Sequence, residues 1–390
     1  MKVVYAMQEP PESWAGSLFL AGPTPRSEAP VPSWRPEALT YLEGIGFEGV
    51  VFVPETEDGT WLHDYDIQVQ WETQMMHMAD VVLFWVPRDL KTMPAFTTNV
   101  EFGRWVDSQK IVLGHPPRAP KTRYLDALIE EVSQNTEEVY ETLEDTLGAA
   151  LSRLGTGSLR SGGERYVPLH IWNTPMFQSW YASQVAAGNR LEEAQVRWIF
   201  RMPKWKTVFS WVLWVKVWIA SEGRFKDNEW VFSRKDISTA VLYYSPGEYI
   251  GTDAQVVLVR EFRSPARTAD GMIRELPGGS AHKTKTPLQV ISEEVEEETG
   301  LSISADRFTE VGSRQVAGTL SSHHAATFCA RLTKAELDIA LALARSNKAH
   351  GVEADTERTY VEVKTFKELL TDPGVDWANL GMVCAALMFR

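Results

Sequence analysis

The sequence predicts an α/β protein with two domains, and three features of the chain support this prediction. A length of 390 residues suits about two domains of ordinary size. Apolar strands alternate with helical patterns up to residue 113, which is the arrangement of a doubly wound parallel sheet. A second series of strands, interrupted by a Glu-rich helix, follows residue 208. We therefore predict domains at residues 1–154 and 166–390, joined by a flexible Gly/Ser-rich linker at 155–165.

Bulk composition limits the classes of partner and the compartment. The formal net charge of −13 argues against a broad nucleic-acid surface, so we expect a small-molecule substrate rather than a nucleic-acid polymer. Cys329 and Cys384 show neither metal spacing nor a disulfide framework, which favours a reducing cytoplasm. The most apolar run, residues 208–220, is too short to span a bilayer and contains Lys216. No membrane partner is expected.

The first half contains the alternating elements. Strands are predicted at residues 17–21, 49–53, 80–87 and 110–113, with helical patterns from about residue 33, at 66–78 and at 99–108. The strand after Asp80 is apolar throughout, as is typical of a strand buried on both faces of a parallel sheet. Asp80 opens that strand, so we expect a structural role for it at the end away from ligands. Ligands bind beyond the carboxyl ends of such strands. The residues expected there are Gly22, Pro23, Pro54, Glu55, Pro87, Arg88 and the loop 92–98.

Five short motifs follow one another in this half. They are FLAGP at 19–23, WRPEAL at 34–39, QVQWE at 68–72, ADVVLFW at 79–85 and AFTTNVEFG at 95–103. In order and spacing they resemble the nucleoside 2-deoxyribosyltransferase-like family over roughly residues 15–120. The resemblance implies a flavodoxin-like sheet and cleavage or transfer of an N-glycosidic bond. It also implies that Glu101 is the nucleophile that attacks the anomeric carbon of the sugar.

Local sequence leaves two interpretations of Glu101 open. A carboxylate near a strand end can stabilise an oxocarbenium-like centre or form a glycosyl ester. Alternatively, Thr98 and Glu101 have the spacing of a helix capping box, which would make this half a pure binding module. The other residues predicted to contact substrate are Thr98, Asn99 and three carboxylates that could protonate the base or hold a sugar hydroxyl, Glu55, Asp64 and Glu72.

In the second half, a helix is predicted from residue 287 by signals at both ends. Thr286 and Gln289 have capping-box spacing, and Pro287 falls at the first helical position. Gly300 can end the helix in a left-handed cap. Glu294, Glu297 and Glu298 share one face of this helix. Three carboxylates on one face suit Mg²⁺ or Mn²⁺, whereas the alternative is a solvated acidic surface.

The surrounding residues decide between these alternatives. Gly279, Glu294, Val295, Glu297, Glu298, Gly300 and Leu301 have the spacing of the Nudix box, a glycine-led loop followed by a helix ending in R-E-U-x-E-E-x-G-U, where U is aliphatic. With the ELPGG turn at 275–279, residues 166–390 resemble the ADP-ribose type of Nudix hydrolase. Two positions depart from the pattern, because Lys285 replaces its early Glu and Glu293 replaces its Arg.

This second resemblance implies an α/β/α sandwich with a mixed sheet and a metal held by Glu294, Glu297 and Glu298. Arg263, Glu275 and Gly279 are predicted to contact substrate, with Arg263 able to clamp a phosphate through two donors. Glu353 and Glu357 are candidates for the general base.

Together the two halves predict a bifunctional nucleotide-processing enzyme. The first would cleave or transfer an N-glycosidic bond, and the second would hydrolyse a nucleoside diphosphate derivative such as ADP-ribose. A glycosidase acting on NAD would supply the ADP-ribose. Because Lys285 and Glu293 depart from the box, the alternative is a nucleotide-binding sensor that regulates the first half. Both resemblances imply a homo-oligomer.

Overall fold

The computed structural model describes residues 1–25, 31–59, 64–133, 138–202, 207–280, 285–350 and 358–388. They form two compact units, Met1–Ser233 and Arg234–Arg390. Both units mix helices and strands, so the predicted α/β class is confirmed. Within the described ranges, no helix is both long enough and apolar enough to cross a membrane.

The first unit begins with an alternating series of strands and helices. In chain order its elements are β1 Lys2–Tyr5, β2 Ser13–Trp14, β3 Ser17–Ala21, α1 Arg35–Gly44, β4 Val50–Val53, α2 Tyr65–Met78, β5 Val81–Trp85, α3 Phe96–Trp105, β6 Ile111–Gly114, α4 Arg123–Ser133, β7 Val139–Tyr140, α5 Leu143–Leu154, β8 Arg160–Ser161, α6 Leu169–Trp172, α7 Pro175–Ala186, β9 Arg190–Met202, β10 Thr207–Ile219 and β11 Arg224–Arg234. Short 3-10 helices lie at Val106–Ser108 and Gly162–Tyr166.

A parallel sheet forms the centre of this series. Its strand order is β1-β4-β3-β5-β6-β7, and each neighbouring pair runs parallel. Met75, Phe102 and Ile129, from α2, α3 and α4, share one hydrophobic core, whereas Leu42 of α1 and Leu147 of α5 belong to a second. The chain leaves β3 for β4 on one side and returns to β5 on the other. The carboxyl ends of β3 and β5 therefore form the crevice where such sheets bind ligands.

The predicted linker at 155–165 is instead an ordered part of the first unit. β8 pairs with β2, and Arg160 is fully buried against Asp80, with Nη2–Oδ2 and Nη1–Oδ1 distances of 2.6 and 2.7 Å. Asp80 also accepts hydrogen bonds from the backbone of Ser17 and Leu169. The Gly/Ser-rich composition predicted a flexible linker. That prediction was wrong because composition does not reveal an ion pair between residues eighty positions apart. The structural role expected for Asp80 is what the structure shows.

The unit boundary also differs from the predicted one. Strands β9, β10 and β11 form a three-stranded sheet that belongs to the first unit. Phe177 of α7 and Trp211 of β10 are fully buried in one core, together with Val167. Gln109, just before β6, donates to the carbonyl of Ile199 in β9 over 3.4 Å. Because these contacts join residues 166–233 to the parallel sheet, the boundary lies after Ser233.

The second unit is built on a mixed sheet. Its elements are β12 Ile237–Tyr244, β13 Gln255–Phe262, β14 Met272–Glu275, β15 Gly278–Ser280, α8 Pro287–Thr299, β16 Thr309–Gln315, β17 His324–Arg331, α9 Lys334–Ser346, β18 Ala349–His350, β19 Thr359–Thr365, α10 Phe366–Leu369 and α11 Trp377–Met388. The strand order is β16-β17-β12-β13-β19-β18, with β14 on β13 and β15 on β12. The β12–β17 pair is parallel and the β12–β13 pair is antiparallel.

Helices of the second unit belong to two separate cores. Ile291 and Val295 of α8 share a core with Ala340 of α9. Phe366 of α10 and Val383 of α11 belong to the other core. Alternate residues of β12 contribute to each core, since successive side chains of a strand point to opposite faces. The arrangement is the α/β sandwich predicted for this part of the chain.

Candidate functional site

Glu101 lies inside α3 rather than at its beginning. The helix starts at Phe96, and its N-cap is Ala95, which has a left-handed φ of 60° and no side-chain cap. Thr98 is therefore the third helical residue, and its side chain is buried. The capping-box interpretation of Thr98 and Glu101 is wrong, because the helix begins before the residue that would have to cap it.

A carboxyl pair forms where α2 and α3 lie side by side. Burial raises the pKa of Glu101 to about 7, and the negative charge of Glu72 and a hydrogen bond with it act in the same direction. The positive charge of Arg35 opposes this rise. Glu72 also accepts a hydrogen bond from Gln68 Nε2 over 2.8 Å. Of the three candidate carboxylates Glu55, Asp64 and Glu72, the structure brings Glu72 to Glu101.

Arg35 is a buried cation beside this carboxyl pair and was not among the residues predicted for the site. Its side chain is 1% exposed and donates to Glu55 Oε1, to the carbonyl of Leu20 over 3.0 Å and to that of Gly22 over 2.8 Å. Glu55 therefore fixes Arg35, which in turn places a positive charge near Glu101. The signal was available in the WR pair of the second motif, where a cation follows a Trp at the start of a helix packed on the sheet.

Gly22 and Pro23 shape the turn after β3. Gly22 has a φ of 149°, and a Cβ there would lie 2.1 Å from the carbonyl oxygen of Trp85, so only glycine fits. The carbonyl of Pro23 accepts a hydrogen bond from Trp34 Nε1 over 3.2 Å. Both residues follow the carboxyl end of β3, and their contact with a substrate stays a prediction.

Asp64 and Asn99 organise the starts of the two helices. Asp64 is the N-cap of α2, and its Oδ1 accepts from the backbone of Asp66 and Ile67 over 3.1 Å each. Asn99 Oδ1 accepts from Arg88, whose guanidinium is buried after β5. These contacts account for both side chains structurally. Their contact with a substrate stays a prediction.

The helix predicted to carry the three carboxylates of the second unit is present as α8. Thr286 and Gln289 form the capping box, and Gly300 ends α8 with a φ of 70°. Glu298 is 5% exposed and accepts a hydrogen bond from the backbone of Gly278 over 2.9 Å. The capping box and the glycine cap were readable from the sequence because they depend on neighbouring residues, whereas the contact of Glu298 with Gly278 was not.

Gly279 packs directly against the box. A Cβ at Gly279 would lie 2.1 Å from Glu294 Oε1, so a larger residue in β15 would displace this carboxylate. Glu294 is half-buried and Glu297 is exposed. Glu294, Glu297 and Glu298 are oxygen donors of the type that Mg²⁺ prefers, so the donor chemistry fits this ion. As they stand, no three or more His, Cys, Asp and Glu side chains of the described ranges are arranged to hold a metal.

Arg263 and Glu275, both predicted to contact substrate, contact each other. The guanidinium donates to Glu275 through Nε and Nη2 over 3.0 and 3.1 Å, and Nη2 also lies 2.9 Å from Glu261 Oε2. Burial lowers the pKa of Arg234, and the positive charge of Arg263 adds to this effect. Arg234 also donates a hydrogen bond to the Ser280 hydroxyl over 3.0 Å. Two guanidinium groups therefore converge beside the loop that carries Gly279.

The two departures from the box pattern lie together. Lys285 Nζ forms an ion pair with Glu293, and both side chains are about half exposed. The hydrogen bond to Glu293 raises the pKa of Lys285, and the charges of Glu293, Glu297 and Glu294 add to this effect. Glu353 and Glu357, the predicted general bases, lie outside the described residues.

Comparison with known proteins gives one family match. Residues 15–119 match the model of a family described as nucleoside 2-deoxyribosyltransferase like. The matched residues include strands β3, β4, β5 and β6 of the parallel sheet, together with Glu72 and Glu101, so this N-terminal part of the chain is similar to that family.

One similar solved structure is described as the crystal structure of an ADP compounds hydrolase. It is 12% identical, covers 52% of this chain and 93% of its own, and has a TM-score of 0.35. At that score the likeness carries no argument about this chain. No curated protein sequence matches the chain.

Proposed function

We propose that this protein is a bifunctional nucleotide-processing enzyme. The first unit cleaves or transfers the N-glycosidic bond of a nucleoside or nucleotide. The second hydrolyses a nucleoside diphosphate derivative such as ADP-ribose with Mg²⁺ or Mn²⁺. The observation that carries the first activity is the pairing of Glu72 with Glu101, whose pKa of about 7 lies far above that of an ordinary carboxyl. The family match over residues 15–119 supports it.

In the first unit the two carboxyl groups have different roles, one as nucleophile and the other as proton donor. Near neutral pH the pair shares one proton, because burial and proximity disfavour two charges. With the proton on Glu72, the carboxylate of Glu101 attacks the anomeric carbon as the C–N bond breaks. The base leaves with the bonding electron pair and takes the proton from Glu72. Water or a second base then attacks the same carbon, releases Glu101 and returns its proton to Glu72.

Base release from deoxynucleosides and from NAD tests this half. We expect Glu101→Gln to abolish release and Glu72→Gln to lower it by about 100- to 10,000-fold, the range for loss of a general acid. Glu130→Gln, an exposed glutamate on α4, is the matched control and should leave the rate unchanged. Full activity in Glu101→Gln would contradict the proposal.

In the second unit, Glu294, Glu297 and Glu298 are the residues that would hold the ion. A bound divalent cation neutralises charge on the phosphates. Arg263 and Arg234 offer guanidinium donors for the diphosphate, and a diphosphate competes with Glu275 and Glu261 for Arg263. Glu298, fixed by the backbone of Gly278, gives the box one rigid carboxylate.

Hydrolysis of ADP-ribose with and without Mg²⁺ tests this second half. We expect Glu297→Gln to abolish hydrolysis and to leave base release by the first unit intact. Glu296→Gln is the matched control, because Glu296 is an exposed neighbour on α8 outside the box carboxylates. If NAD is the first substrate, nicotinamide release should precede AMP formation. If products form from deoxynucleosides alone, the coupling through NAD is excluded.

A sensor role for the second unit is the second candidate, favoured by the Lys285–Glu293 ion pair. In that case the second unit binds a nucleotide and regulates base release without hydrolysing it. Calorimetry separates the two cases. Tight nucleotide binding at high Mg²⁺ without turnover supports the sensor, whereas AMP formation that depends on Glu297 excludes it.

A further inference from the structure

A polar cleft lies between α2 and β9 in the first unit. One wall contains Gln70, Gln74 and His77, which share a face of α2 because they are spaced at i, i+4 and i+7. The other wall contains Glu193 and Gln195, which point to the same side of β9. We call this space the α2–β9 cleft. Its volume of about 500 Å³ is in the range of small-molecule sites.

The α2–β9 cleft differs from the proposed site of base release. The described residues that line it do not include Glu72, Glu101 or Arg35. Gln74 donates a hydrogen bond to the Tyr166 hydroxyl over 3.2 Å, and both side chains line the cleft. A molecule bound there would contact residues to which neither proposed activity gives a role.

Arg104 of α3 gives the cleft an accessible cation. Its side chain is exposed, donates a long hydrogen bond of 3.4 Å to the Thr73 hydroxyl, and lies 5.8 Å from the centre of the Trp105 ring. Within the described ranges no carboxylate forms an ion pair with it. Burial lowers the pKa of His77 to about 4, and the charges of Lys110 and Arg104 add to this effect, so the imidazole is neutral at pH 7. This end of the cleft therefore suits an anion, and a guanidinium matches the geometry of phosphate.

The β9 side of the cleft suits a nucleobase. Gln195 Nε2 lies 3.4 Å from Glu193 Oε1, which is a long hydrogen bond that a ligand can replace. A carboxylate accepts from the amino group of cytosine, and carboxamides pair with the edge of adenine. Gln70 adds a second carboxamide, and Val69, which is 37% exposed, adds an apolar surface for a ring.

We propose that the α2–β9 cleft binds a nucleoside monophosphate whose base carries an exocyclic amino group, with the phosphate on Arg104 and the amino group on Glu193. The phosphate brings a negative charge to a guanidinium that has no carboxylate partner among the described residues. Repulsion between the phosphate and Glu193 favours this orientation over the reverse one. The inference does not depend on either proposed activity, because it uses neither the carboxyl pair nor the second unit.

Isothermal titration calorimetry of the full-length protein tests the proposal with a matched pair of ligands. Cytidine monophosphate has an amino group where uridine monophosphate has a carbonyl oxygen, and the two are otherwise of equal size. We expect the cytidine nucleotide to bind about tenfold more tightly than the uridine nucleotide. Ribose 5-phosphate, which has no base, should bind more weakly than the cytidine nucleotide. The same titrations of Glu101→Gln, in buffer that contains EDTA, exclude heat from base release and from metal binding.

Substitutions in two different elements locate the ligand. We expect Arg104→Gln to weaken binding of cytidine monophosphate by about 10- to 100-fold and Gln195→Ala to weaken it by about 2- to 10-fold. Arg224→Gln is the matched control, because Arg224 is an exposed arginine of the same unit that pairs with Glu222 and does not line the cleft. Its affinity should equal that of the wild type. Thermal unfolding followed by circular dichroism checks that each variant is folded, and Arg104→Lys replaces Arg104→Gln if the latter unfolds.

The outcomes separate the inference from the proposed function. Absence of binding at millimolar cytidine monophosphate, or wild-type affinity in both Arg104→Gln and Gln195→Ala, overturns the site. An equal loss in Arg224→Gln also overturns it, because the effect then follows net charge alone. Equal affinity for the cytidine and uridine nucleotides overturns the contact of Glu193 with the base. Each of these results leaves base release by Glu101 untouched, since that activity is measured separately.

Discussion

The proposed base release depends first on one residue, Glu101, whose ionisation near neutral pH is set by its neighbours. Burial contributes most to the raised pKa, followed by the charge of Glu72 and the hydrogen bond with it, whereas Arg35 acts in the opposite direction. A carboxylate in water has a pKa near 4 and would be ionised throughout the physiological range. The pair instead loses a proton near pH 7, and in the proposed mechanism one carboxyl attacks while the other donates.

The pH dependence of base release follows from this titration. Since the proposed reaction needs one carboxylate and one proton on the pair, we expect kcat/KM to fall as pH rises above about 7, where the pair loses that proton. Glu72→Gln leaves no proton-donating carboxyl beside Glu101, so this falling limb should be absent from the residual activity. An unchanged limb in that variant would mean that another group controls the titration.

The same pKa shift predicts a cost in stability. Because the folded-state pKa of Glu101 lies above its unfolded value, the folded protein binds more protons between about pH 4.5 and 7, and the free energy of unfolding falls as pH rises through that window. The substitution Glu101→Gln removes this titration. We expect the change that it causes in the free energy of unfolding to be more favourable at pH 8 than at pH 5, by on the order of 1–3 kcal/mol. Urea unfolding at the two pH values measures this, and an equal loss of stability at both would contradict it.

At the scale of elements, each half relies on helix geometry to place its carboxylates. α2 and α3 bring Glu72 and Glu101 together because both helices pack on the same face of the parallel sheet. α8 places Glu294 and Glu298 against the glycine turn because its capping box and Gly300 define both of its ends. The first arrangement depends on strand order, whereas the second depends on residues adjacent in the chain.

The ion pair between β8 and the start of β5 is the element contact whose loss should be most costly. Arg160→Met leaves Asp80 buried without its cation, so we expect destabilisation by about 3–5 kcal/mol. Adding Asp80→Asn should recover part of this loss, because the double variant buries no unpaired charge. Urea unfolding of the wild type, the two single variants and the double variant gives a double-mutant cycle. Additive losses would show that the two residues do not stabilise each other.

At the scale of the whole molecule, the chain divides later than its composition suggests. Residues 166–233 contribute α6, α7 and β9–β11 to the first unit, and buried Phe177 and Trp211 belong to their core. The Gly/Ser-rich stretch that looked like a linker carries the buried Arg160. A boundary drawn there would cut through a packed unit.

Fragments of the chain test that boundary. We expect residues 1–233 to unfold cooperatively on heating, whereas residues 1–165 should unfold at lower temperature or aggregate, because they lack Leu169, which packs in the core beside α1 and α5. Circular dichroism of the two fragments measures the difference. If the fragment of residues 1–165 is more stable than that of residues 1–233, the boundary predicted from composition is favoured.

The sequence by itself determined the features that depend on neighbouring residues. The apolar runs of β3, β4, β5 and β6 are such features, and their alternation with helices predicted the doubly wound sheet. The ends of α8 followed from Thr286, Pro287 and Gly300. Motif spacing selected Glu101 even though the local pattern alone favoured a cap, and the start of α3 was misplaced because Ala95 carries no capping signal.

Only the tertiary structure decided which distant residues meet. It selected Glu72 from three candidate carboxylates, revealed Arg35 beside them, joined Arg160 to Asp80 and paired Lys285 with Glu293. Capping and periodicity operate within a turn or two of chain, so they are visible in a sequence. Ionic partners and pKa values depend on strand order, helix packing and burial, and these arise only when the whole chain has folded.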